Sequence, residues 1–282
     1  MPPVTRLASV FCKTMNIKKR LLPAALIVIV TFGCILLSRP TRVLFFTALA
    51  VMSVFELENV LRQAELPCSK VLLIVYCAGQ GLMCFITAPV LWMIVWFLLI
   101  AFCGMFLGVL SPEKHGAKSS VGTLFALVWP FGFYAVVLHA AASELWLPTL
   151  AMSILGAWAC DSMALIGGKL WGKHKLSPIV SPNKTWEGAV IGGLSAVLAG
   201  FLISLVLRPY DPVPALPCMV ITFLASCFGQ AGDLAASLIK RMAGVKDYGH
   251  LMPEHGGIMD KMDSMLFAIP TAYLGMYIYS II

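Results

Sequence analysis

Nine apolar stretches, each near the length needed to cross a bilayer, decide what this chain can become. They lie near 20–38, 41–57, 71–87, 89–110, 119–139, 146–168, 187–207, 213–239 and 262–281. A helix needs roughly 20 apolar residues to span the hydrocarbon core, and there it satisfies its own peptide groups. Hydrophobic residues make up 60% of the 282-residue chain and charged residues only 12%. A soluble fold would leave too much of that apolar surface in water. The expected fold class is all-α: a polytopic integral membrane protein of about nine transmembrane helices. Only Ala88-Pro89 separates the third stretch from the fourth, so eight spans is the alternative. The second stretch is short for a span.

The basic residues supply an orientation. With a cytoplasmic N-terminus, 17 of the 20 lysines and arginines fall in segments 1–20, 58–70, 111–118, 169–186 and 240–261. Arg39, Arg42 and Arg208 are left facing outward. This is the positive-inside pattern, and eight spans would break it. The net charge of +7 then reflects orientation and attraction to anionic lipid, with no nucleic acid needed. The basic start of the chain has no small-residue cleavage pattern, so the first stretch is read as a retained span. Nine cysteines form no C-x-x-C pair, and seven lie in the spans as small core hydrophobes.

Charge is uneven along the chain. The first five stretches are almost free of it, apart from Glu56 and Glu58 at the inner end of the second and His139 at the outer end of the fifth. A loose division falls near 111–118, giving an N-terminal membrane region (1–110) and a C-terminal catalytic region (111–282). Asp161 and Asp233 lie at depth, eight residues before Lys169 and seven before Lys240, roughly 12 Å below the inner face. A buried charge is costly, about 2.5–3.5 kcal/mol on insertion scales, and two at matching depth need a shared reason. Asp260 and Asp263 join them at the start of the last span. They are three residues apart on one helix face, in the first turn where the helix dipole favours anions. A carboxylate-only set points to Mg²⁺ or a similar hard cation rather than zinc.

Cations surround this set. Asp233, Ser237, Lys240 and Arg241 make one helical stripe, with a carboxylate at depth and two cations at its mouth. Read alone, those two cations are better explained as ordinary interface anchors at a helix end. The segment 169–188 carries Lys169, Lys173, Lys175 and Lys184, with Ser181 or Thr185 as a cap for the seventh span and Glu187 in its first turn. Gly256 and Gly257 can bring backbone N–H groups against an anion. His255 beside them is a phosphate ligand, an acid or base, or a structural residue. Cations, carboxylates and exposed backbone at one membrane face together suit a metal-bound polyphosphate.

Residues 237–263 closely resemble the signature of phosphatidate cytidylyltransferases, also called CDP-diacylglycerol synthases. The matching residues are Ser237, Lys240, Arg241, Lys246, Asp247, Pro253, His255, Gly256, Gly257, Asp260, Lys261 and Asp263. The block SPNKTWEG at 181–188, Asp161, and GQAGD at 229–233 are similar to further family blocks. Lys261 stands where the family pattern has Arg, and Met252 where it has Leu, Ile or Phe. The resemblance is specific over about 155–265 and extends to the first 110 residues only in hydropathy.

The resemblance implies transfer of a cytidylyl group from CTP to phosphatidic acid, giving CDP-diacylglycerol and pyrophosphate at the cytoplasmic side of the cell (inner) membrane. It implies Asp233, Asp260 and Asp263 as catalytic residues holding Mg²⁺, with Lys240 and Arg241. Asp161 completes the shell or holds a second cation. Ser181, Asn183, Lys184, Thr185, Lys246, Asp247, His255, Gly256, Gly257 and Lys261 would bind substrate. CTP, phosphatidic acid and the lipid bilayer are the implied partners, with room for a homodimer. The rival readings are a CTP-dependent lipid kinase, a CDP-alcohol phosphotransferase (whose D-G-x-x-A-R pattern is absent), an ion-coupled transporter built on Asp161 and Asp233, and a catalytically silent homologue.

Overall fold

A computed structural model describes residues 29–110, 112–251 and 256–282. Of the first expected span, only 29–37 is included, as the end of helix α1. The other helices follow in chain order: α2 (Arg39–Gln63), α3 (Lys70–Phe85), α4 (Val90–Leu110), α5 (Pro112–Ala126), α6 (Phe133–Ala142), α7 (Trp146–Trp171), α8 (Trp186–Leu207), α9 (Ala215–Met242), α10 (Met259–Met262) and α11 (Met265–Ile281). A hairpin of β1 (Lys175–Ser177) and β2 (Ser181–Thr185) joins α7 to α8. Among the described residues, seven helical segments are long and apolar enough to cross a membrane, and α3 is a shorter apolar helix. The chain is an all-α membrane protein.

Each expected span after the first has a helical counterpart, with some corrections. The second is not short: α2 has 25 residues, because polar Glu56, Glu58 and Arg62 continue the helix beyond its apolar stretch. Ser38 caps it, Thr41 N donating to Ser38 Oγ at 3.4 Å, with proline in the first turn. The Ala88-Pro89 break does separate two helices, α3 and α4. The fifth stretch is interrupted by a π-helical turn, Leu127–Gly132, containing Pro130, where the missing amide hydrogen prevents a regular α-helix.

The C-terminal helices α7, α8, α9 and α11 pack on one another, and α2, α3 and α6 pack together beside them. One buried apolar cluster runs through both sets, from Val54 and Leu57 of α2 and Tyr134 of α6 to Met259 and Leu266 of the last segment. A second joins Met152, Cys218, Ile221 and Ala272. Close approach in lipid relies on small residues, since hydrophobicity does not drive helix association there. Gly188, Gly192, Ala196 and Gly200 put such a stripe on α8, buried against α7 and α9. Arg42 is buried but satisfied: its Nε donates to Ala141 O at 3.0 Å, and its guanidinium lies 3.7 Å from the Trp146 ring centre.

Candidate active site

The inner half of α9 forms one wall of the site. Asp233, Ser237 and Lys240 are spaced four and three residues apart, which keeps them on one helix face. Ser237 Oγ donates to Asp233 Oδ1 at 3.4 Å. Lys240 Nζ lies 2.8 Å from Asp260 Oδ1 and 4.0 Å from Asp263 Oδ2. Asp263 feels the charges of Asp233 and of Lys240. Asp161, exposed on α7, feels the charges of Asp233 and Lys184. Helices α7, α9 and the α10–α11 segment thus bring the three deeper carboxylates of the expected set together. Arg241, the fourth member of the stripe, turns away. Its Nε and Nη1 donate to Val180 O and Val245 O, bracing the hairpin against the loop after α9.

The hairpin delivers Lys184. Thr185 ends β2 and caps α8, accepting from Gly188 N at 3.1 Å. The residue before it points the other way along the strand. Lys184 Nζ reaches 2.5 Å from Asp233 Oδ2. This ion pair lacks the alignment of a hydrogen bond, so the ammonium has no hydrogen-bonding partner. At the outer side, His174 N and Nδ1 both engage the Glu187 carboxylate, the latter at 2.6 Å. The charges grade from open to closed. Lys184 and Asp233 side chains are 26% and 29% exposed, Lys240 and Asp260 only 9% each. A ligand entering from the open side meets Lys184, Asp161 and Asp233 first.

Asp260 is a hub. Its Oδ2 accepts from Tyr248 N at 2.8 Å and Gly257 N at 3.0 Å, while Oδ1 takes Lys240. Both oxygens are therefore engaged, which suits a residue that organises the loops more than one held open for a cation. Gly257 N donates to Asp260 Oδ2, so the anion it meets is a side chain of the protein. Glu56 of α2 accepts from Ile258 N at 2.9 Å and Met259 N at 2.8 Å. A Cβ on Gly257 would collide with that carboxylate, and Gly256 has φ +78. Only glycine suits both positions without strain.

Two residues were missed by the sequence reading. Glu56 was noted only as a charge ending its span, although a carboxylate beside a helix N-terminus is a natural partner. Tyr248 is buried in the polar loop after α9. It donates through its hydroxyl to Ala236 O at 3.0 Å and lies under Lys240 Nζ, 5.3 Å from the ring centre. Burial, then the Asp263 and Asp260 charges, push its phenol above the usual range. An aromatic residue beside Lys246-Asp247 was the available signal. Of the remaining candidates, Asn183, Lys246 and Lys261 are exposed, and Ser181 and Asp247 partly so. His255 lies outside the described residues.

Among the described residues, no group of three or more His, Cys, Asp or Glu side chains is arranged as a metal-ligand set. The donors that converge are nevertheless all carboxylate oxygens. Asp263 feels the Asp233 charge, and two such negative charges call for a cation or a shared proton between them. That pair fits a hard divalent ion, with Asp161 at the open side. Asp260 has both oxygens engaged, by Lys240 and by backbone N–H groups, and Asp233 likewise meets Ser237 and Lys184.

The comparisons with known proteins agree with this geometry. The chain is 38% identical over 162 residues to a phosphatidate cytidylyltransferase of Staphylococcus saprophyticus, and 43% identical over 123 residues to one of Bacillus subtilis. Those matches cover 57% and 44% of this chain and 61% and 45% of the relatives, so the chain spans about half the length of the curated relatives it matches. A phosphatidate cytidylyltransferase of Staphylococcus aureus is 44% identical over 42% of the chain and 45% of its own length. The family model runs further, from residue 18 to residue 279, taking in the spans as well as the carboxylate cluster, and by that match the chain belongs to the cytidylyltransferase family.

Proposed function

We propose that this protein transfers a cytidylyl group from CTP to phosphatidic acid, forming CDP-diacylglycerol and pyrophosphate. One observation carries the reading: carboxylates from three helices converge at the end of a membrane bundle, with Lys184 and Lys240 beside them. Named relatives that act on phosphatidate, and the family match, support the substrate pair.

The chemistry needs little proton transfer. The phosphate oxygen of the lipid is already anionic and attacks the α-phosphorus in line as pyrophosphate departs. Positioning and charge neutralisation then carry the rate. Lys184 is suited to meet the triphosphate, since its side chain is 26% exposed beside Asp233 and its ammonium makes no aligned hydrogen bond. Lys240 keeps the buried end neutral by facing Asp260 and Asp263. Asp233 and Asp263 are the residues to hold Mg²⁺, which when bound supplies charge stabilisation between the α-phosphate and the leaving group. Asp260 acts through the loops it ties together. The basic segments 169–186 and 240–261 support a cytoplasmic site in the cell membrane.

The test uses purified protein with CTP, phosphatidic acid and Mg²⁺. A liponucleotide together with released pyrophosphate is the expected result. Release of CDP or CMP would replace this reading with a lipid kinase or a CDP-alcohol phosphotransferase. No nucleotide turnover, with lipid or ion flux in liposomes, would replace it with a transporter.

A further inference from the structure

A groove of about 380 Å³ is lined in part by Ile258, Lys261 and Met262 of the α10 turn. Its walls are apolar: Phe46 and Leu49 of α2, Ile154 and Trp158 of α7, Met265 of α11. Lys261 is the charged residue that lines it, and it is exposed. The groove has a direction. Ile258 and Met259 are held at the level of Glu56, and Leu49 and Phe46 lie seven and ten residues further along α2. That is about 10 and 15 Å toward the bilayer interior. The groove therefore starts beside the carboxylate cluster and descends into the apolar region, with a cation at its upper end.

These features select an occupant. An apolar channel at membrane depth suits an acyl chain, and a lysine at its polar end suits a phosphate. A nucleotide or free phosphate would leave the apolar walls unused, and an uncharged lipid would leave the lysine unused. Lys261 is adjacent to Asp260 and two residues before Asp263. We propose that this groove is the acyl-chain subsite for the lipid substrate, and that Lys261 holds the lipid phosphate. The proposal rests on the transferase reading above and adds the path by which the lipid reaches the site.

Kinetics with separately varied substrates, plus lipid labelling, test it. Leu49→Trp fills the groove, and Lys261→Met removes the cation while keeping the stem. Each should raise the KM for phosphatidic acid in mixed micelles by roughly tenfold and leave the KM for CTP unchanged. Lys261→Arg, which keeps the charge, should recover most of the affinity for phosphatidic acid that Lys261→Met loses. Wild-type protein with a phosphatidic acid carrying a mid-chain diazirine should be labelled at Phe46, Leu49, Ile154 or Met265. Unchanged lipid KM in both variants would overturn the proposal, as would labelling confined to the outer faces of α4 and α8. Labelling in the groove without any KM shift would also overturn it, because the lipid there would not be substrate. A wild-type protein that makes no liponucleotide would sink the transferase reading instead, and the labelling would still decide whether lipid enters the groove.

Discussion

Glu56 and Met259 are 203 residues apart in the chain and joined by a 2.8 Å hydrogen bond from Met259 N to Glu56 Oε2. The other oxygen takes Ile258 N. A helix in the first third of the chain thereby holds the N-terminus of the turn that carries Asp260 and Lys261. Glu56→Gln places an amide donor against one of those N–H groups. We expect about 1–3 kcal/mol of lost stability from the unsatisfied donor and a fall in kcat with little change in the KM for CTP. Thermal melts and initial rates on detergent-solubilised protein check both.

The aspartates separate by role. Asp233→Asn and Asp263→Asn should each abolish liponucleotide formation while the protein remains membrane-inserted. Asp260→Asn should lower both thermal stability and rate, because the backbone bonds to Tyr248 and Gly257 weaken with the charge. Wild-type turnover in either of the first two would remove that residue from the proposed cation site.

The two lysines should part in the same way. Lys240 is 9% exposed between two carboxylates, so Lys240→Met leaves buried charge unpaired. We expect destabilisation of roughly 3–5 kcal/mol, the usual cost of breaking a buried pair. Lys184 is half open and makes no aligned hydrogen bond. Lys184→Met should raise the KM for CTP with a near-normal melting temperature. Equal melting-temperature losses in both variants would contradict the distinction between the two positions.

Gly257→Ala forces a methyl group into the Glu56 carboxylate and should cost activity and stability together. Paired with Glu56→Ala, which clears the space, the substitution should be far less harmful than alone. A double-mutant cycle with no coupling would mean that the clash is relieved elsewhere.

Tyr248 gives a pH signature. Its phenol is held above its ordinary range by burial and by Asp263 and Asp260, so the unfolded chain loses that proton first as pH rises. The stabilisation is complete below the unfolded value, about pH 10, and declines above it toward the folded value. Tyr248→Phe should cost about 1 kcal/mol at neutral pH from the lost bond to Ala236 O. It should also show a shallower stability loss above pH 10, measured by thermal melts from pH 8 to 11.

Much of the site was legible before any tertiary structure. Helical spacing put Asp233, Ser237 and Lys240 on one face, and Thr185 was a candidate cap on residue type alone. Arg241 shared that stripe yet braces the hairpin, because a residue at the end of a helix can turn toward whatever loop packs there. The glycine pair was read as an anion cradle; Gly257 N meets Asp260, while the amides that hold the Glu56 carboxylate are those of the next two residues, Ile258 and Met259.

By itself, the sequence determined that the chain is a bundle of membrane-crossing helices, since a backbone in hydrocarbon must bond within its own segment and apolar length alone measures that requirement. It also singled out Asp161, Asp233, Asp260 and Asp263 as one set, of which the fold buries Asp263 and leaves Asp161 exposed. Tertiary packing alone decided which partners they have. Asp260 gives one oxygen to loop backbone and the other to Lys240, Asp233 meets Ser237 and Lys184, and Glu56 crosses from the first third of the chain to hold the turn that carries Asp260. Helical period fixes which way a side chain points, whereas what it meets depends on how separate helices settle against one another.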